Sequence, residues 1–367
     1  MVLDKFNFAP EFPLYYPCGH PLIYTKLRHQ GKSILLSVLA SLDGMAIPSY
    51  FTSSNGTFFS VDRDFSQKLL KEPGLSHLGI GASWLNFDSF SDGLIYLSDQ
   101  LKCGYPVIVG GTPYFLPHFQ SYYRRDSYVE TYNPQPPLGI ANHFILVYGL
   151  DRDRVHIFDP TPHRVKGTIS LSDFEGFWGT DRNLPGLEDY PGISELQDYG
   201  VVKLDNVIEI QVPDIKLLTY QAINLSAQGY LDGKTMKENE GLYIFGWKSS
   251  ERLLNDLCLV LERPNLAPMF ENCLLWSQHS RLYLRDVLAD LVKLGDMAFA
   301  NHYKTADRLA TVWRDAYVNF GVGIRQNSPS LSLCVGEVCN SLRRALHDEK
   351  YLHEALLGLI GRRIETV

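Results

Sequence analysis

The sequence predicts an α+β fold, in which an N-terminal domain with an antiparallel sheet and a buried helix precedes an all-α helical domain. Glycine, proline, aromatic residues and short strand-like runs crowd the part before residue 212, whereas long segments with a helical apolar period fill the remainder. The length of 367 residues also favours two or three domains. A strand-like run meets a proline and a helical pattern at residues 212–216, so we place the domains at 1–212 and 213–367.

In the N-terminal domain, residues 33–42 are apolar on most faces and end at Asp43 and Gly44, which predicts a buried helix. Other segments show the amphipathic period of helices or the short apolar runs of strands between turn residues. They predict helices over 62–71, 91–103 and 170–178, and strands over 105–109, 142–150, 154–159 and 199–212.

In the C-terminal domain, amphipathic patterns predict a series of helices over 216–231, 247–261, 268–295, 304–319 and 330–360. No fixed repeat period links these segments, so the pattern indicates a helical bundle and not a solenoid.

Charge and composition exclude several classes of function. The 34 basic and 41 acidic residues give a formal charge of −7, which argues against the usual basic surface for nucleic acid. The N-terminus lacks the apolar core of a signal peptide and no run of about 18 apolar residues occurs, so we expect a cytoplasmic protein that does not bind membranes. The six cysteines are dispersed, without a disulfide framework or zinc-ligand spacing, and we expect no metal.

His143 and Asp159 form the most informative pair. His143 opens one predicted strand and Asp159 closes the next, so the two side chains can meet at the same end of an antiparallel hairpin. An aspartate in that place can hold the imidazole tautomer and support an imidazolium, as in Cys-His-Asp or Ser-His-Asp triads. The alternative is a histidine at a sheet rim and an Asp-Pro turn.

Together these segments resemble the butirosin biosynthesis protein H-like family. The matching segments are GKSILLSVLASLDGMAI, GYPVIVGGTPYFLP, ANHFILVYGLDRDRVHIFDPT and the helix at 171–178, and RLYLRDVLADLVKLG is similar to part of the helical domain that commonly follows. The resemblance implies a papain-like (cysteine-protease-like) fold. It also implies an acyltransferase of nonribosomal peptide or related antibiotic biosynthesis, which moves an acyl or peptidyl group from a carrier-protein thioester to an amine.

In the family the nucleophilic cysteine begins the buried helix, and counting back from Gly44 gives Gly31 at that position. Three interpretations stay open. Ser33 can act as the nucleophile, although a serine there also fits a helix N-cap. Cys18 can reach the site from the preceding loop, with His20 nearby, or can be a structural thiol. The domain can also have lost covalent catalysis, with His143 as a general base or with a binding cleft alone.

Further side chains around the predicted helix start are candidates for binding. Gln30 is a candidate oxyanion donor, because an uncharged amide can stabilise developing charge. His29 and Lys32 can bind the phosphate of a phosphopantetheine arm at a helix N-terminus. The aromatic loop at 114–132, with Arg124 and Arg125, can cover an acyl chain or meet an acidic carrier protein. A solvated surface role is the alternative for each.

We therefore expect an acyltransferase in which His143 is the general base and Asp159 orients it, with a carrier protein and an amine acceptor as partners. No cofactor is expected beyond the carrier's phosphopantetheine arm. Two alternatives remain. One is a catalytically inactive papain-like scaffold that holds a carrier protein or peptide. The other is a cysteine peptidase or amidase that uses Cys18, which requires Cys18 to lie next to His143.

Overall fold

The computed structural model describes residues 1–3, 6, 12–53, 59–60, 69–70, 74–123, 143–179, 199–205, 214–238, 241–325 and 330–364. The chain divides into two compact units. Unit 1 comprises Met1–Ile34 and Gly79–Gln211, and unit 2 comprises Leu35–Leu78 and Val212–Val367. The segment Leu35–Leu78, which the sequence prediction assigned to the N-terminal domain, is therefore part of unit 2.

Unit 1 is built on a six-stranded antiparallel sheet of β3 (Gly81–Leu85), β4 (Val107–Gly111), β5 (His143–Leu150), β6 (Arg154–Asp159), β7 (Val165–Ser170) and β8 (Val201–Asp205). The strand order in this sheet is β3-β8-β4-β5-β6-β7. The strands predicted over 105–109, 142–150 and 154–159 correspond to β4, β5 and β6. The strand predicted over 199–212 corresponds to β8 at its start, and its residues from 206 onward lie outside the described residues.

Two helices cover the sheet of unit 1, α3 (Phe90–Lys102) and α4 (Leu171–Trp178). Each begins at a serine N-cap, since Ser89 and Ser170 accept hydrogen bonds from amides three residues on. Their apolar faces pack against alternate residues of the central strands. This core contains Leu97, Leu101, Phe174, Phe177 and Trp178 together with Val107, Val109, Ile145, Val147, Val155 and Ile157. The packing fixes the register of β4, β5 and β6.

A further helix of unit 1, α1 (Gly19–His29), was not predicted. It packs beside β4 and β5, and Leu22 and Leu27 are buried. The helix ends in a Schellman turn at Gly31, whose φ is 75°. The Gly31 amide donates to the Arg28 carbonyl and the Lys32 amide donates to the Leu27 carbonyl, each at 3.0 Å. Gly31 is therefore a helix terminator, because glycine adopts this conformation without steric strain.

The helix predicted over 33–42 is shorter than expected and belongs to unit 2. It is α2 (Leu36–Leu42), and its N-cap is Leu35, which makes no side-chain capping bond. Ser33 is exposed in the connector before it and caps nothing. Every residue from Ser37 to Leu42 is buried.

Unit 2 contains most of the helices and a small sheet. After α2 come α5 (Ile215–Asp232), α6 (Trp247–Leu257), α7 (Leu259–Glu262), α8 (Ala267–Lys293), α9 (Ala300–Arg325) and α10 (Ser330–Ile364). The four-stranded antiparallel sheet has the order β2-β1-β10-β9, with β1 (Ser49–Ser53), β2 (Phe59–Ser60), β9 (Thr235–Glu238) and β10 (Gly241–Phe245). The predicted helical domain over 213–367 thus contains the strands β9 and β10, and from Trp247 onward the described residues form helices and their connections. The predicted helix over 62–71 lies largely outside the described residues.

A buried ion pair joins α8 to α10 in unit 2. The Arg281 guanidinium donates to Glu349 at 2.8 and 3.0 Å, and both side chains are almost fully buried. Glu349 also accepts hydrogen bonds from Tyr230 at 2.9 Å and from Trp313 at 2.6 Å. The charges are thus paired and hydrogen-bonded, as buried charges must be. Among the helices that the structure describes, none has the length and apolar character needed to span a membrane.

The two glycines that bracket α1 give a test of the Schellman turn. An added Cβ meets no atom within 4 Å at either Gly19 or Gly31, but only Gly31 has a positive φ. We expect Gly31→Ala to lower the free energy of unfolding by about 1–2 kcal/mol. Gly19→Ala should change it by less than about 1 kcal/mol. Urea titrations of both variants measure this, and equal effects would contradict the assigned helix end.

Candidate active site

Cys18 stands at the N-terminus of α1, where it is the N-cap residue. The local sequence starts the helix here, because Pro21 lies in the first turn, where a missing N–H is tolerated. The His20 amide donates to the Pro17 carbonyl at 3.2 Å, which fixes the turn before the helix. The Cys18 side chain is half-buried. The positive end of the helix dipole favours negative charge at this place.

His143 and Asp159 meet at one edge of the sheet of unit 1. His143 is the first residue of β5, Asp159 is the last residue of β6, and the two strands are antiparallel neighbours. The His143 Nε2 and Asp159 Oδ2 atoms are 2.8 Å apart. The hairpin arrangement predicted from the sequence is therefore confirmed.

The thiol of Cys18 completes a row of three side chains. Cys18 lies close enough to His143 for its thiol to raise the pKa of the imidazole by hydrogen bonding and charge. Because Nε2 of His143 faces Asp159, Nδ1 is the ring nitrogen left for the thiol. The Phe119 ring packs edge-on against the imidazole, with ring centres 4.9 Å apart. Helix α1, β5 and β6 thus bring Cys18, His143 and Asp159 together in the order of a nucleophile, a base and an orienting carboxylate.

Burial and charge act in opposite directions on His143 and Asp159. Burial alone lowers the pKa of His143, but the charge and hydrogen bond of Asp159, followed by the contact with Cys18, outweigh it and raise that pKa to about 10. Burial alone raises the pKa of Asp159, but His143 and His118 outweigh it and hold that pKa below its ordinary value. At neutral pH the site therefore favours an imidazolium beside a carboxylate.

A second histidine, His118, also contacts Asp159 and was not singled out from the sequence. Its Nε2 lies 2.7 Å from Asp159 Oδ2, the same oxygen that faces His143. His118 follows β4 in a loop between two short 3-10 helices, Pro113–Phe115 and Gln120–Tyr123. No sequence pattern marks it, and the strand pairing brings it to the site: β4 ends opposite the start of β5, with Gly111 paired to His143, so the loop after β4 leaves the sheet there.

The structure places Gln30, His29 and Lys32 at the other end of α1 from Cys18. The helix has eleven residues, which corresponds to a length of about 16 Å. Gln30 is the C-cap residue, so it is not an oxyanion donor beside the thiol. His29 Nε2 contacts the Gly104 carbonyl at 2.9 Å, and the C-terminal end of a helix disfavours phosphate. These positions do not form the phosphate site expected for His29 and Lys32.

Ser33 and Gly31 follow the same end of α1. Ser33 is exposed three residues beyond the C-cap, at the end of α1 opposite to Cys18. This placement argues against Ser33 as the nucleophile. The counted position, Gly31, is part of the Schellman turn and carries no thiol. The structure places the thiol of Cys18 at a helix N-terminus.

Part of the predicted aromatic loop belongs to the described chain. Its described part ends at Tyr123, whereas Arg124 and Arg125 lie outside the described residues. The Tyr122 hydroxyl donates to Asp173 of α4 at 3.1 Å, which ties the loop to the sheet-covering helix. Within the residues that the structure describes, no group of three or more His, Cys, Asp or Glu side chains could hold a metal ion.

In comparisons with known proteins, no family model matches the chain and no curated protein is significantly similar to it.

The arrangement provides the parts that acyl transfer through a thiol requires. Cys18 supplies a half-exposed nucleophile, and His143 supplies a proton acceptor and donor in contact with it. The amides of Cys18 and Gly19 open α1, where helix N–H groups have no intrahelical acceptor and can stabilise an oxyanion. Among the described residues, a Cβ added at Gly19 would meet no atom of another segment within 4 Å, so this backbone is accessible.

The pKa of His143 gives a first test of the site. In Asp159→Asn the attraction that outweighs burial is lost, so we expect the pKa of His143 to fall from about 10 to below about 6.5. Cys18→Ala removes a smaller contribution and should lower it less. Histidine NMR titrations measure both changes. An unchanged pKa of His143 in Asp159→Asn would contradict the assigned interaction between His143 and Asp159.

The same shift predicts how stability depends on pH. The pKa of His143 is higher in the folded chain than in the unfolded one, so its contribution is complete below about pH 6.5 and is lost as pH rises towards about 10. The difference in free energy of unfolding between wild type and His143→Gln should therefore shrink between pH 7 and pH 10. Urea unfolding at several pH values measures it, and a difference that grows with pH would contradict the sign.

Proposed function

We propose that the chain is a cysteine-dependent acyltransferase with a papain-like N-terminal domain, which moves an acyl or peptidyl group from a carrier-protein thioester to an amine. The observation that carries the proposal is the contact of the Cys18 thiol, at a helix N-terminus, with His143, which is itself bonded to Asp159. Thiols activated in this way are nucleophiles for acyl groups. The carrier thioester, the amine and a cytoplasmic location come from the sequence resemblance and composition.

The residue types of the site also support the resemblance to the butirosin biosynthesis protein H-like family, whereas the matching segment GKSILLSVLASLDGMAI contains α2 of unit 2 and not α1. That resemblance implies a cysteine at the start of a helix, with histidine and aspartate on neighbouring strands. Cys18, His143 and Asp159 match this pattern once α1, and not α2, is taken as the nucleophile helix. The alternative of a catalytically inactive scaffold depended mainly on the lack of a cysteine at the start of a helix. Cys18 is a cysteine in such a position, so this argument for the scaffold no longer applies.

In the first half of the proposed reaction, the Cys18 thiolate attacks the carbonyl carbon of the carrier thioester. The tetrahedral oxyanion receives hydrogen bonds from the amides that open α1. Collapse forms the bond from the acyl carbon to Cys18 Sγ and breaks the bond to the carrier sulfur. The departing phosphopantetheine thiolate takes the proton of the His143 imidazolium, which leaves His143 neutral.

In the second half, the amine attacks the acyl carbon on Cys18 and loses its proton to the neutral His143. The carbon–sulfur bond then breaks, so the products are an amide and the original thiolate with its imidazolium. Aminolysis of a thioester is exergonic, and holding the amine beside the acyl-enzyme makes the attack effectively intramolecular. Asp159 keeps the His143 ring aligned for both proton transfers.

A peptidase or amidase is the second candidate, and the same Cys18 contact supports it. The two candidates differ in the group that accepts the acyl chain from Cys18. An acyltransferase transfers the acyl group to an amine, whereas a hydrolase transfers it to water. Product analysis with an amine present separates them.

Acyl transfer from a synthetic acyl-pantetheine thioester tests the proposal. We expect mass spectrometry to find the acyl group on Cys18, and we expect Cys18→Ala or His143→Ala to reduce amide formation by about a thousandfold or more. Cys103→Ser is the matched control, because Cys103 is an exposed cysteine of the same unit and should be dispensable. Transfer that survives Cys18→Ala would exclude the proposed nucleophile. Free acid as the product in the presence of varied amines would favour the hydrolase.

A further inference from the structure

We propose that His118 is a positioning residue of this site, which holds Asp159 ionised and correctly oriented so that Asp159 can support the His143 imidazolium. The inference rests on the proposed function, in which Cys18, His143 and Asp159 carry out acyl transfer. It extends that function by assigning a fourth side chain, which does not touch the reacting thiol.

One oxygen of Asp159 accepts hydrogen bonds from both imidazoles. Oδ2 lies 2.7 Å from His118 Nε2 and 2.8 Å from His143 Nε2. Because a carboxylate only accepts hydrogen bonds, both rings donate from Nε2. The other oxygen, Oδ1, is buried and makes no hydrogen bond within the described residues. The two histidines therefore provide the side-chain support that the structure shows for this carboxylate.

Asp159 needs that support because its side chain is completely buried. Burial disfavours a carboxylate unless donors replace the lost water. His143 is an imperfect partner for this purpose, since its charge changes during the proposed reaction. His118 supplies a second donor that is not in contact with the nucleophile in the described geometry.

Among the residues that the structure describes, three groups face His118 besides Asp159. Phe119 contacts it with ring centres 5.2 Å apart, and His163 lies 5.7 Å away. Burial, followed by the charge of His118, lowers the pKa of His163, so His163 favours its neutral form. His143 faces His118 across the shared oxygen. Phe119 also packs on His163 at 4.3 Å and on His143 at 4.9 Å, so an apolar ring touches all three imidazoles.

Loss of the His118 donor has a predictable direction. With one donor fewer, burial raises the pKa of Asp159, and a less stable carboxylate supports the His143 imidazolium less well. The pKa of His143 should then fall. A side chain that only filled space would affect stability without moving this titration.

A set of four variants tests the inference. His118→Leu removes the donor, His118→Asn has a side chain too short to donate from the Nε2 position, and His118→Gln can donate from that position. His163→Leu is the matched control, because His163 packs on the same Phe119 ring but has no hydrogen bond to Asp159 among the described contacts.

We expect the pKa of His143, measured by NMR, to fall by about one unit or more in His118→Leu and His118→Asn, and to stay near its wild-type value in His118→Gln and His163→Leu. The alkaline limb of kcat/KM for acyl transfer should move to lower pH by the same amount, so that the rate above that limb drops about tenfold. If His118→Leu does not fold, the inference is tested by comparing the pKa of His143 in His118→Asn and His118→Gln.

An unchanged His143 titration in His118→Asn, or an equal fall in His118→Asn and His118→Gln, would overturn the inference. The NMR titration needs no turnover, so it tests His118 even if transfer survives Cys18→Ala and the proposed function fails. Conversely, if transfer depends on Cys18 but the pKa of His143 is unchanged in His118→Asn, only the proposed role of His118 is rejected.

Discussion

A charged imidazole and a carboxylate are each unfavourable inside a protein, and His143 and Asp159 are buried together. Their hydrogen bond stabilises both charged forms inside the protein, because each charge replaces the interaction with water that the other has lost. The remaining features of the site follow from this pair. The thiol of Cys18 meets a ring whose orientation is already set, and the β5 and β6 strands hold the pair at the edge of a sheet.

The two ends of α1 have different tasks, and the sequence at each end reflects this. The start of α1 carries Cys18, Gly19 and Pro21, so it presents a thiol and backbone amides for which the helix itself supplies no acceptor. The last turn carries basic residues and ends at Gly31, where a left-handed residue closes the Schellman turn. An anion is favoured at the first end and disfavoured at the second. That polarity explains why Cys18 fits a nucleophile, while His29 and Lys32 do not form a phosphate site.

The sequence predicted the hairpin of His143 and Asp159 because its information is local: two alternating apolar runs are joined by a short polar turn. It did not predict α1, whose first turn contains glycine and proline and whose pattern is less apolar than that of α2. The count back from Gly44 therefore used α2, whereas the cysteine that stands at a helix N-terminus precedes α1. The sheet formed by β1 and β10 was missed because its strands pair over a long chain separation. His118 was missed because a loop histidine has no periodic pattern, and only the β4 and β5 pairing brings it to Asp159.

The proposed reaction explains why a carboxylate with one histidine partner would be insufficient. When His143 gives its proton to the departing thiolate, Asp159 loses the positive charge that balanced it, while it stays fully buried. At that moment the carboxylate would tend to take up a proton, and a protonated Asp159 could not stabilise the imidazolium that forms again when the amine attacks. His118 exchanges no proton in the proposed step, and its hydrogen bond to Asp159 is separate from that of His143. It can therefore keep Asp159 ionised through the neutral stage of His143, so that the second proton transfer meets the same carboxylate as the first.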